Sequence, residues 1–589
     1  MIDRRNLLRT IACVFLLCFS HQTLKAQPDR RPNVILILTD DQGYGDLSCL
    51  GNPILKTPAL DRLYEESVRF SNMHVMPFCT PTRASLMTGH CATRTGAYRT
   101  SSGRTMMHTD EVTMAEVFRK NGYATGMFGK WHLGDNYPHR PQDRGFQTTL
   151  WHRCGGVGQA SDYWGNDYFD DAYEFNGEFK KFEGYCTDIW FKGALDFIED
   201  NARKKQPFFA YIPTNAPHGP YLVPEKYAKP YKQVATWNNG MAANFFGMIA
   251  NIDENVALLR RKLKEWGIED NTILIFMTDN GTACGVDMGL DALPAEGMGY
   301  NAGMRGRKSS IFDGGHRVPC FFYWPAGGIV GGRDIPQLAA GYDVLPTLVE
   351  LCDLDDPHID FDGCSLVPLL RGEGDWPQRE LVLQFQGGAY FRYVPEMWSD
   401  SLVMTERWRL LGGERLFDIV NDPTQSNNVA DQHPGVVQKL RKRYEQWWAD
   451  VSPRIKEPVR IHVANPAENP VTLCSQDWYM PQGNPPWNFG EIRRLPKVTG
   501  PWMIYVEKSG KYKVTLCQWP LEAAKPIVAE TARVKVAGVE EDAPVNEGAI
   551  SVSFEMELPA GNTTVETFLA TREGQIGGAY FTYIEYMGR

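Results

Sequence analysis

Long hydrophobic runs are nearly absent from this 589-residue sequence, in which 43% of the residues are hydrophobic and 22% are charged. The one extended apolar stretch, residues 11–19, follows three arginines near the amino terminus. It is too short for a stable transmembrane anchor. A basic start, a short apolar segment and a small residue, Ala26, are typical of a secretory signal peptide. We therefore expect residues 1–26 to be removed and the protein to be exported, to the periplasm in the first place and otherwise to the extracellular medium.

Basic residues are also fewer than acidic residues. The chain has 61 Lys and Arg against 71 Asp and Glu, a formal net charge of −10 at pH 7. Removal of residues 1–26 takes away four basic residues and one acidic residue, which leaves a net charge of −13. This balance argues against sequence-independent binding to nucleic acid. Attraction of an anionic substrate would have to be local to one pocket.

Closely paired cysteines are missing as well. The 13 cysteines include no C-x-x-C pair, and two of them, Cys13 and Cys18, lie in the predicted signal peptide. Zinc knuckles need paired ligands, and disulfide-stapled domains need a dense cysteine framework, so neither is indicated. The other 11 cysteines are an odd number, which leaves one available for special chemistry.

Alternating strand-like and helix-like segments predict an α/β fold whose mostly parallel central sheet is sandwiched by helices. The predicted strands are residues 33–39, 122–130, 208–214 and 272–278. Helices are predicted at 57–67 and 244–266, where apolar residues recur on one face. We assign residues 27–375 to this catalytic domain.

The character of the sequence changes after residue 375. Residues 376–452 combine short strands with an amphipathic helix at 434–449, which predicts a small α+β subdomain. Pro453 and Pro458 are typical of a linker. Polar and apolar residues then alternate, so residues 453–589 are predicted to form an all-β sandwich.

Oxygen-bearing side chains follow two of the predicted central strands. Asp40 and Asp41 come directly after one strand, and Asp279 and Asn280 come after another. Ligands of open α/β sheets gather beyond the carboxyl ends of the strands, so we expect these four residues to share one site. Carboxylate and amide oxygens suit Ca²⁺ or Mg²⁺ better than zinc. We expect one Ca²⁺, with Mg²⁺ as the second choice.

A compact motif lies between these strands. The segment Cys79-Thr80-Pro81-Thr82-Arg83, with Gly89 six residues further on, resembles the catalytic and modification motif of type I sulfatases, which belong to the alkaline phosphatase superfamily. The commoner family residue at position 82 is serine. Residues 122–134 (GYATGMFGKWHLG) and 305–319 (RGRKSSIFDGGHRVP) resemble two further segments of that family in the same order, and the resemblance spans residues 32–450. Because three segments match in the same order, the resemblance is more specific than a match to any single motif would be.

The resemblance implies that a formylglycine-generating maturation enzyme oxidises Cys79. The aldehyde hydrates to a geminal diol, one hydroxyl attacks sulfur, and the second hydroxyl later expels sulfate. The Thr80-Pro81 sequence independently places Cys79 at a helix amino terminus, where free N–H groups and the helix dipole favour an anion.

The resemblance also assigns roles to five further residues. Arg83 steadies the formylglycine hydrate, and Lys130 and Lys308 hold sulfate oxygens and the bridging oxygen. His132 is placed as the base that deprotonates the second hydroxyl, and His218 as the acid that protonates the leaving oxygen. In addition, asparagine rather than histidine follows Asp279, which argues against the two-zinc arrangement found elsewhere in the superfamily.

A sulfated oligosaccharide or polysaccharide, attacked at a chain end, is the predicted substrate. Residues 147–190 are rich in aromatic and polar side chains, which suit sugar rings and hydroxyls. The predicted glycan contacts are Trp151, His152, Arg153, Trp164 and Asp167. A packed Ω-loop is an equal alternative for this segment. Two interpretations are likewise open for residues 477–489. The segment either covers the rim of the pocket or seals the junction between domains.

Two other functions remain open from the sequence. Phosphonate monoester hydrolases and phosphodiesterases share the fold and the formylglycine nucleophile. Alternatively, if Cys79 escapes oxidation, the chain would be a non-catalytic, glycan-binding pseudo-sulfatase.

Overall fold

The structure is a computed structural model that describes residues 31–373, 376–385 and 394–588. The predicted signal peptide lies outside the described residues. The central sheet contains β1 (Asn33–Thr39), β2 (Val68–His74), β3 (Ala124–Lys130), β4 (Thr148–His152), β5 (Ala172–Phe175), β6 (Glu178–Lys181), β7 (Phe208–Pro213), β8 (Thr272–Thr278), β9 (Arg317–Tyr323), β10 (Arg333–Ile335) and β11 (Ala339–Ala340). Their order is β10-β2-β9-β8-β1-β7-β3-β4-β5-β6, with β11 beside β2.

Parallel strands form the middle of this sheet, where β8, β1, β7, β3 and β4 run side by side. Antiparallel strands flank them on both sides. Within β1, Val34, Leu36 and Leu38 enter one hydrophobic core, and Ile35 and Ile37 enter the other. A strand that is buried on both faces needs an unbroken apolar run, which is why the sequence pattern located it correctly.

Helices cover both faces of the sheet. They are α1 (Pro58–Glu66), α2 (Cys79–Thr88), α3 (Ala92–Thr95), α4 (Met114–Lys120), α5 (Cys186–Lys204), α6 (Glu225–Ala228), α7 (Met241–Glu265), α8 (Asp313–His316), α9 (Val344–Leu351) and α10 (Val367–Arg371). Ile252 of α7 packs in one core and Leu348 of α9 in the other. The predicted α/β fold is thereby confirmed.

A separate four-stranded antiparallel sheet follows. It contains β12 (Leu381–Gln384), β13 (Ser401–Met404), β14 (Trp408–Leu411) and β15 (Arg415–Asp418). Helix α11 (Pro434–Ile455) packs beside it and is longer than predicted, because Pro453 lies inside the last turn rather than in a linker. Pro453 has no N–H group and so removes one backbone hydrogen bond from this last turn. The helix therefore crosses the boundary predicted at residue 452.

The carboxyl-terminal region forms two further sheets, as predicted for a sandwich. One contains β16 (Ile461–Val463), β18 (Trp502–Val506), β20 (Thr531–Val536), β21 (Val539–Pro544), β23 (Gly561–Thr571) and β24 (Gly574–Gly577), and the other contains β17 (Val471–Cys474), β19 (Gly510–Cys517), β22 (Val552–Leu558) and β25 (Phe581–Gly588). A short helix, α12 (Phe489–Ile492), lies outside these sheets. We call residues 456–588 the β module. Among the described residues, no helix combines the length and apolarity needed to cross a membrane.

A buried ion pair joins the small sheet to the central domain. Arg409 of β14 is fully buried, and its Nε lies 3.0 Å from Oδ1 of Asp313. Burial raises the pKa of Asp313, but the charge and hydrogen bond of Arg409, together with His74 and His316, hold that pKa well below its usual range. Asp313 thus has a buried structural partner.

Replacement of Arg409 with methionine is expected to lower the free energy of unfolding by about 3–5 kcal/mol, because it leaves the Asp313 carboxylate buried and unpaired. Arg407→Met is the matched control. Its partner is Asp418, and the Arg407 side chain is 51% exposed, so its loss should have a much smaller effect on the free energy of unfolding. Denaturant titrations of both variants give the comparison, and equal effects would contradict it.

Candidate active site

The carboxyl ends of β1 and β8 bring the predicted metal ligands together. The two strands are parallel neighbours, with Thr39 paired to Thr278, so the residues that follow them lie side by side. The backbone N–H of Asp41 donates to Asp279 Oδ1 at 3.0 Å, and Asn280 Nδ2 donates to Asp41 Oδ1 at 3.0 Å. Asp40, Asp41, Asp279 and Asn280 are all buried.

These oxygens fit a hard divalent cation. Asp40 Oδ1 and Asn280 Oδ1 are buried, and neither accepts a hydrogen bond. One ligand atom each from Asp40, Cys79 and Asp279 lies within 4.8 Å of the others. Burial, reinforced by the charge of Asp40, raises the pKa of Asp279 to about 7. Buried carboxylates this close together are costly to ionise unless a positive charge lies between them, and oxygen ligands of this type suit Ca²⁺ or Mg²⁺.

Each of the three buried carboxylates also accepts a hydrogen bond from a basic side chain. The pairs are Lys130 Nζ with Asp40 Oδ2 at 2.6 Å, Arg83 Nη2 with Asp279 Oδ2 at 2.8 Å, and Lys308 Nζ with Asp41 Oδ2 at 2.7 Å. Arg83 Nη1 also donates to the Lys130 carbonyl at 2.9 Å, which fixes the two side chains relative to each other. Local positive charge thus gathers in a chain that is acidic overall.

Cys79 is the first residue of α2, and only 3% of its surface is exposed. Its Sγ lies 3.3 Å from His132 Nδ1, while His132 Nε2 lies 3.2 Å from the Thr100 carbonyl oxygen. A carbonyl only accepts, so Nε2 carries the proton and the Nδ1 lone pair faces residue 79. Burial and the charges of Lys130 and Arg83 lower the pKa of His132 well below its usual value. His132 is therefore a neutral base.

His218 also enters the site as a neutral imidazole. Its Nδ1 lies 2.6 Å from the Gly219 carbonyl, and its Nε2 lies 3.7 Å from Asp41 Oδ2. Burial lowers the pKa of His218 to about 3, although the Asp41 charge acts in the opposite direction. Because the charges of Lys308 and Lys130 also lower this pKa, a bound anion that neutralises them would raise it.

Two neighbouring cavities open above these groups. The first has a volume of about 300 Å³ and contains Cys79, His132, His218 and Lys308 in its walls. The second has a volume of about 780 Å³, and Asp41 is among the residues that line it. His218, Lys308, Gln159 and Trp487 line both. Four of the six predicted catalytic residues thus line a space of the size that ligand pockets commonly have, whereas Arg83 and Lys130 line neither cavity.

Comparison with known proteins agrees with this geometry. Residues 32–354 match the family model Sulfatase. This chain belongs to the sulfatase family. It is 31% identical over 445 residues to human arylsulfatase A, an alignment that covers 70% of this chain and 82% of the relative. It is 30% identical over 380 residues to mouse N-acetylgalactosamine-6-sulfatase, covering 59% and 68%.

A solved structure supports the same assignment. The crystal structure of Ps i-CgsB in complex with k-i-k-neocarrahexaose superposes with a TM-score of 0.63 at 25% identity, over 73% of this chain and 94% of that one. The chain is therefore a sulfatase, an enzyme that hydrolyses sulfate esters. The predicted family and reaction are confirmed.

Most of the residues predicted to contact a glycan do not line the two cavities of this sulfatase. Trp151 and His152 of β4 are fully buried, because Trp151 lies in one hydrophobic core of the central domain and His152 packs against Trp190 of α5. Arg153 is bound to Glu174 at 3.0 Å, and Trp164 packs on Phe489. These four line neither cavity, so they form no sugar-facing wall in this structure. Of the predicted set, Asp167 alone lines the second cavity.

Other residues of the sulfatase that line the cavities were not predicted as site residues. They include Arg99, Gln159, Gln476, Asn484 and Trp487. The last two fall in residues 477–489, where the sequence left open a pocket rim or a seal. Arg99 and Gln159 carry no local pattern that separates them from ordinary loop residues.

Proposed function

We propose that this sulfatase removes sulfate from a sulfated carbohydrate at a chain end. Formylglycine derived from Cys79 is the nucleophile, and one Ca²⁺ is held by Asp40, Asp41, Asp279 and Asn280. The observation that carries the proposal is the position of the Cys79 side chain, buried at the start of α2 and within 4.8 Å of oxygens of Asp40 and Asp279. A formylglycine-generating enzyme is the proposed maturation partner, and we propose that the protein is exported.

Two of the similar proteins support a carbohydrate substrate. One is named for the sugar N-acetylgalactosamine, and another was crystallised with k-i-k-neocarrahexaose. The cavities are also wider than a sulfate group requires.

The bound cation would supply positive charge that stabilises the deprotonated nucleophile and the sulfate oxygens. Residues of the protein supply the other charged groups of the site. Helix α2 directs its positive end at residue 79, where an anion is favoured. Lys130 and Lys308 place ammonium groups against Asp40 and Asp41, respectively, and we assign both to the binding of sulfate oxygens. Arg83 pairs with Asp279 from the other side.

We assign the proton transfers to His132 and His218. The Nδ1 lone pair of His132 faces residue 79 and can take a proton from a hydroxyl there. His218 presents Nε2 towards the cavity and must be protonated to act as the acid. We propose that the negative charge of the bound sulfate ester raises its pKa enough for that step, since the positive charges of Lys308 and Lys130 are then offset.

The role of His218 depends on the leaving group, which gives a test. With His218→Gln, release of sulfate from a sugar alcohol is expected to fall by about 10²–10⁴-fold, the usual size of a general-acid contribution. Release from 4-nitrophenyl sulfate should fall much less, because nitrophenolate leaves without a proton. Paired kcat measurements on both substrates provide the check, and an equal loss on both would refute the acid role.

The reaction class and the pseudo-sulfatase alternative can be tested together. Fully matured protein is expected to hydrolyse 4-nitrophenyl sulfate and a subset of singly sulfated sugars, with little action on nitrophenyl phosphate or phosphonate esters. Preference for the phosphorus esters would favour the phosphonate hydrolase alternative. A Cys79 peptide that retains its thiol in protein from the native host, without hydrolysis, would favour the pseudo-sulfatase. Release of sulfate from internal sugar residues would refute chain-end action.

A further inference from the structure

The β module reaches into the active site. Asn484 and Trp487 line the first cavity together with Cys79 and His132, and Trp487 also lines the second cavity. Residues 475–493, which carry these side chains, form most of the connection between β17 and β18. We call them the rim segment. A module attached only as a separate binding domain would not contribute walls to the catalytic cavities.

Contacts from the catalytic domain hold the rim segment in place. The backbone N–H of Ser102 donates to the Gln476 carbonyl at 2.8 Å, and that of Ala160 donates to the Trp487 carbonyl at 2.9 Å. Arg99 Nη2 donates to Asn484 Oδ1 at 2.6 Å. These bonds come from three separate positions in the catalytic domain. The rim segment is therefore anchored at several points along its length.

Hydrophobic packing adds to these bonds. The module core includes Met106 and Ala160 of the catalytic domain. Trp164 stacks near Phe489, with ring centroids 4.4 Å apart, and approaches Trp519 at 5.4 Å. Trp164, which the sequence predicted as a glycan contact, instead helps to fasten the rim segment. The module and the catalytic domain thus share one packed interface beside the cavities.

Trp487 is the side chain best placed to meet a sugar. It is half-buried, and its backbone is held at both ends, by Glu491 Oε2 at 2.9 Å from its N–H and by Ala160 at its carbonyl. Amide side chains of Gln159, Gln476 and Asn484 line the cavity around it. An aromatic face combined with amide donors and acceptors matches the apolar face and the hydroxyls of a pyranose.

We propose that the rim segment forms the sugar-binding wall of the active site, with Trp487 stacking on the ring of the sulfated sugar and Asn484 binding a hydroxyl. The β module is then an integral part of substrate recognition. This inference rests on the proposed function for the identity of the ligand as a sulfated sugar. Its test measures binding as well as turnover, so that the two proposals can fail separately.

The experiment compares Cys79→Ala with Cys79→Ala/Trp487→Ala, both as full-length protein loaded with Ca²⁺. Calorimetry measures binding of singly sulfated galactose, N-acetylgalactosamine and N-acetylglucosamine, and of inorganic sulfate. Loss of the stacking contact is expected to weaken binding of the recognised sugar by about 10–100-fold, the range for one lost apolar contact in a pocket. Affinity for inorganic sulfate should not change, because sulfate has no ring on which Trp487 could stack.

Three further variants in the Cys79→Ala background sharpen the comparison. Trp487→Phe keeps an aromatic face and should recover most of the affinity, and Asn484→Ala should weaken sugar binding alone. Trp448→Ala is the matched control, since Trp448 is a partly buried tryptophan of α11 that lines neither cavity; it should leave every affinity unchanged.

Each outcome decides the inference. Equal sugar affinity with and without Trp487, or binding of inorganic sulfate but of none of the sugars, overturns it. Loss of both sugar and sulfate affinity also overturns it, because Trp487 would then only support the fold. If matured wild-type protein hydrolyses no sulfate ester while sugar affinity still depends on Trp487, the proposed function fails and the inference stands.

Discussion

Cys79→Ala is expected to abolish sulfate release, lowering kcat/KM by about 10⁴-fold or more, as loss of a covalent nucleophile commonly does. Alanine cannot be oxidised to an aldehyde, so no geminal diol forms at the start of α2. Hydrolysis of 4-nitrophenyl sulfate by wild type and variant measures the effect. A peptide that carries an aldehyde in place of the thiol at position 79 of the wild type would confirm maturation.

Thr82→Ser is the matched control within the same motif. The Thr82 hydroxyl accepts from the Met76 N–H and donates to the Met76 carbonyl, both at 3.0 Å, and serine can form both bonds. This variant should retain activity near the wild-type level. If Cys79→Ala were as active as Thr82→Ser, or if active wild type still held an unoxidised sulfur at position 79, the formylglycine nucleophile would be refuted.

Removal of divalent cations is expected to inactivate the enzyme, with a loss of about 10²-fold or more in kcat/KM, because the site would lose its main stabilisation of developing negative charge. Added Ca²⁺ should restore activity more effectively than Mg²⁺, since Ca²⁺ accepts irregular oxygen ligation more readily. Zn²⁺ should not restore it. Full activity after exhaustive chelation, with no metal detected by elemental analysis, would contradict a cation requirement.

Reactivation by Ca²⁺ is expected to become more effective as the pH rises. Burial and the Asp40 charge raise the pKa of Asp279 to about 7 in the metal-free site, so a proton must leave before the carboxylate can bind a cation. Apparent Ca²⁺ affinity should therefore rise with pH, by about tenfold per unit below pH 7 for one released proton, and level off above it. Asp279→Asn removes that proton and should flatten the profile while it weakens binding.

The sequence alone determined the core of the fold and much of the candidate site. Strands β1 and β8 are buried on both faces, which forces an uninterrupted apolar run, and the polar residues after such runs must lie at one edge of a parallel sheet. Asp40 and Asp279 could therefore be predicted as neighbours although 238 residues separate them along the chain. The Cys79 motif is local and needed no tertiary information.

Only the tertiary structure decided which residues face the substrate cavities. Trp151 and Trp164 look like sugar contacts in the sequence, but Trp151 is buried in a hydrophobic core of the central domain and Trp164 packs against residues of the β module. Trp487 reaches the cavities because the β module docks on loops more than 300 residues earlier in the chain. Local composition records what a side chain can bind, whereas its exposure depends on contacts between distant segments, and these arise only when the chain folds.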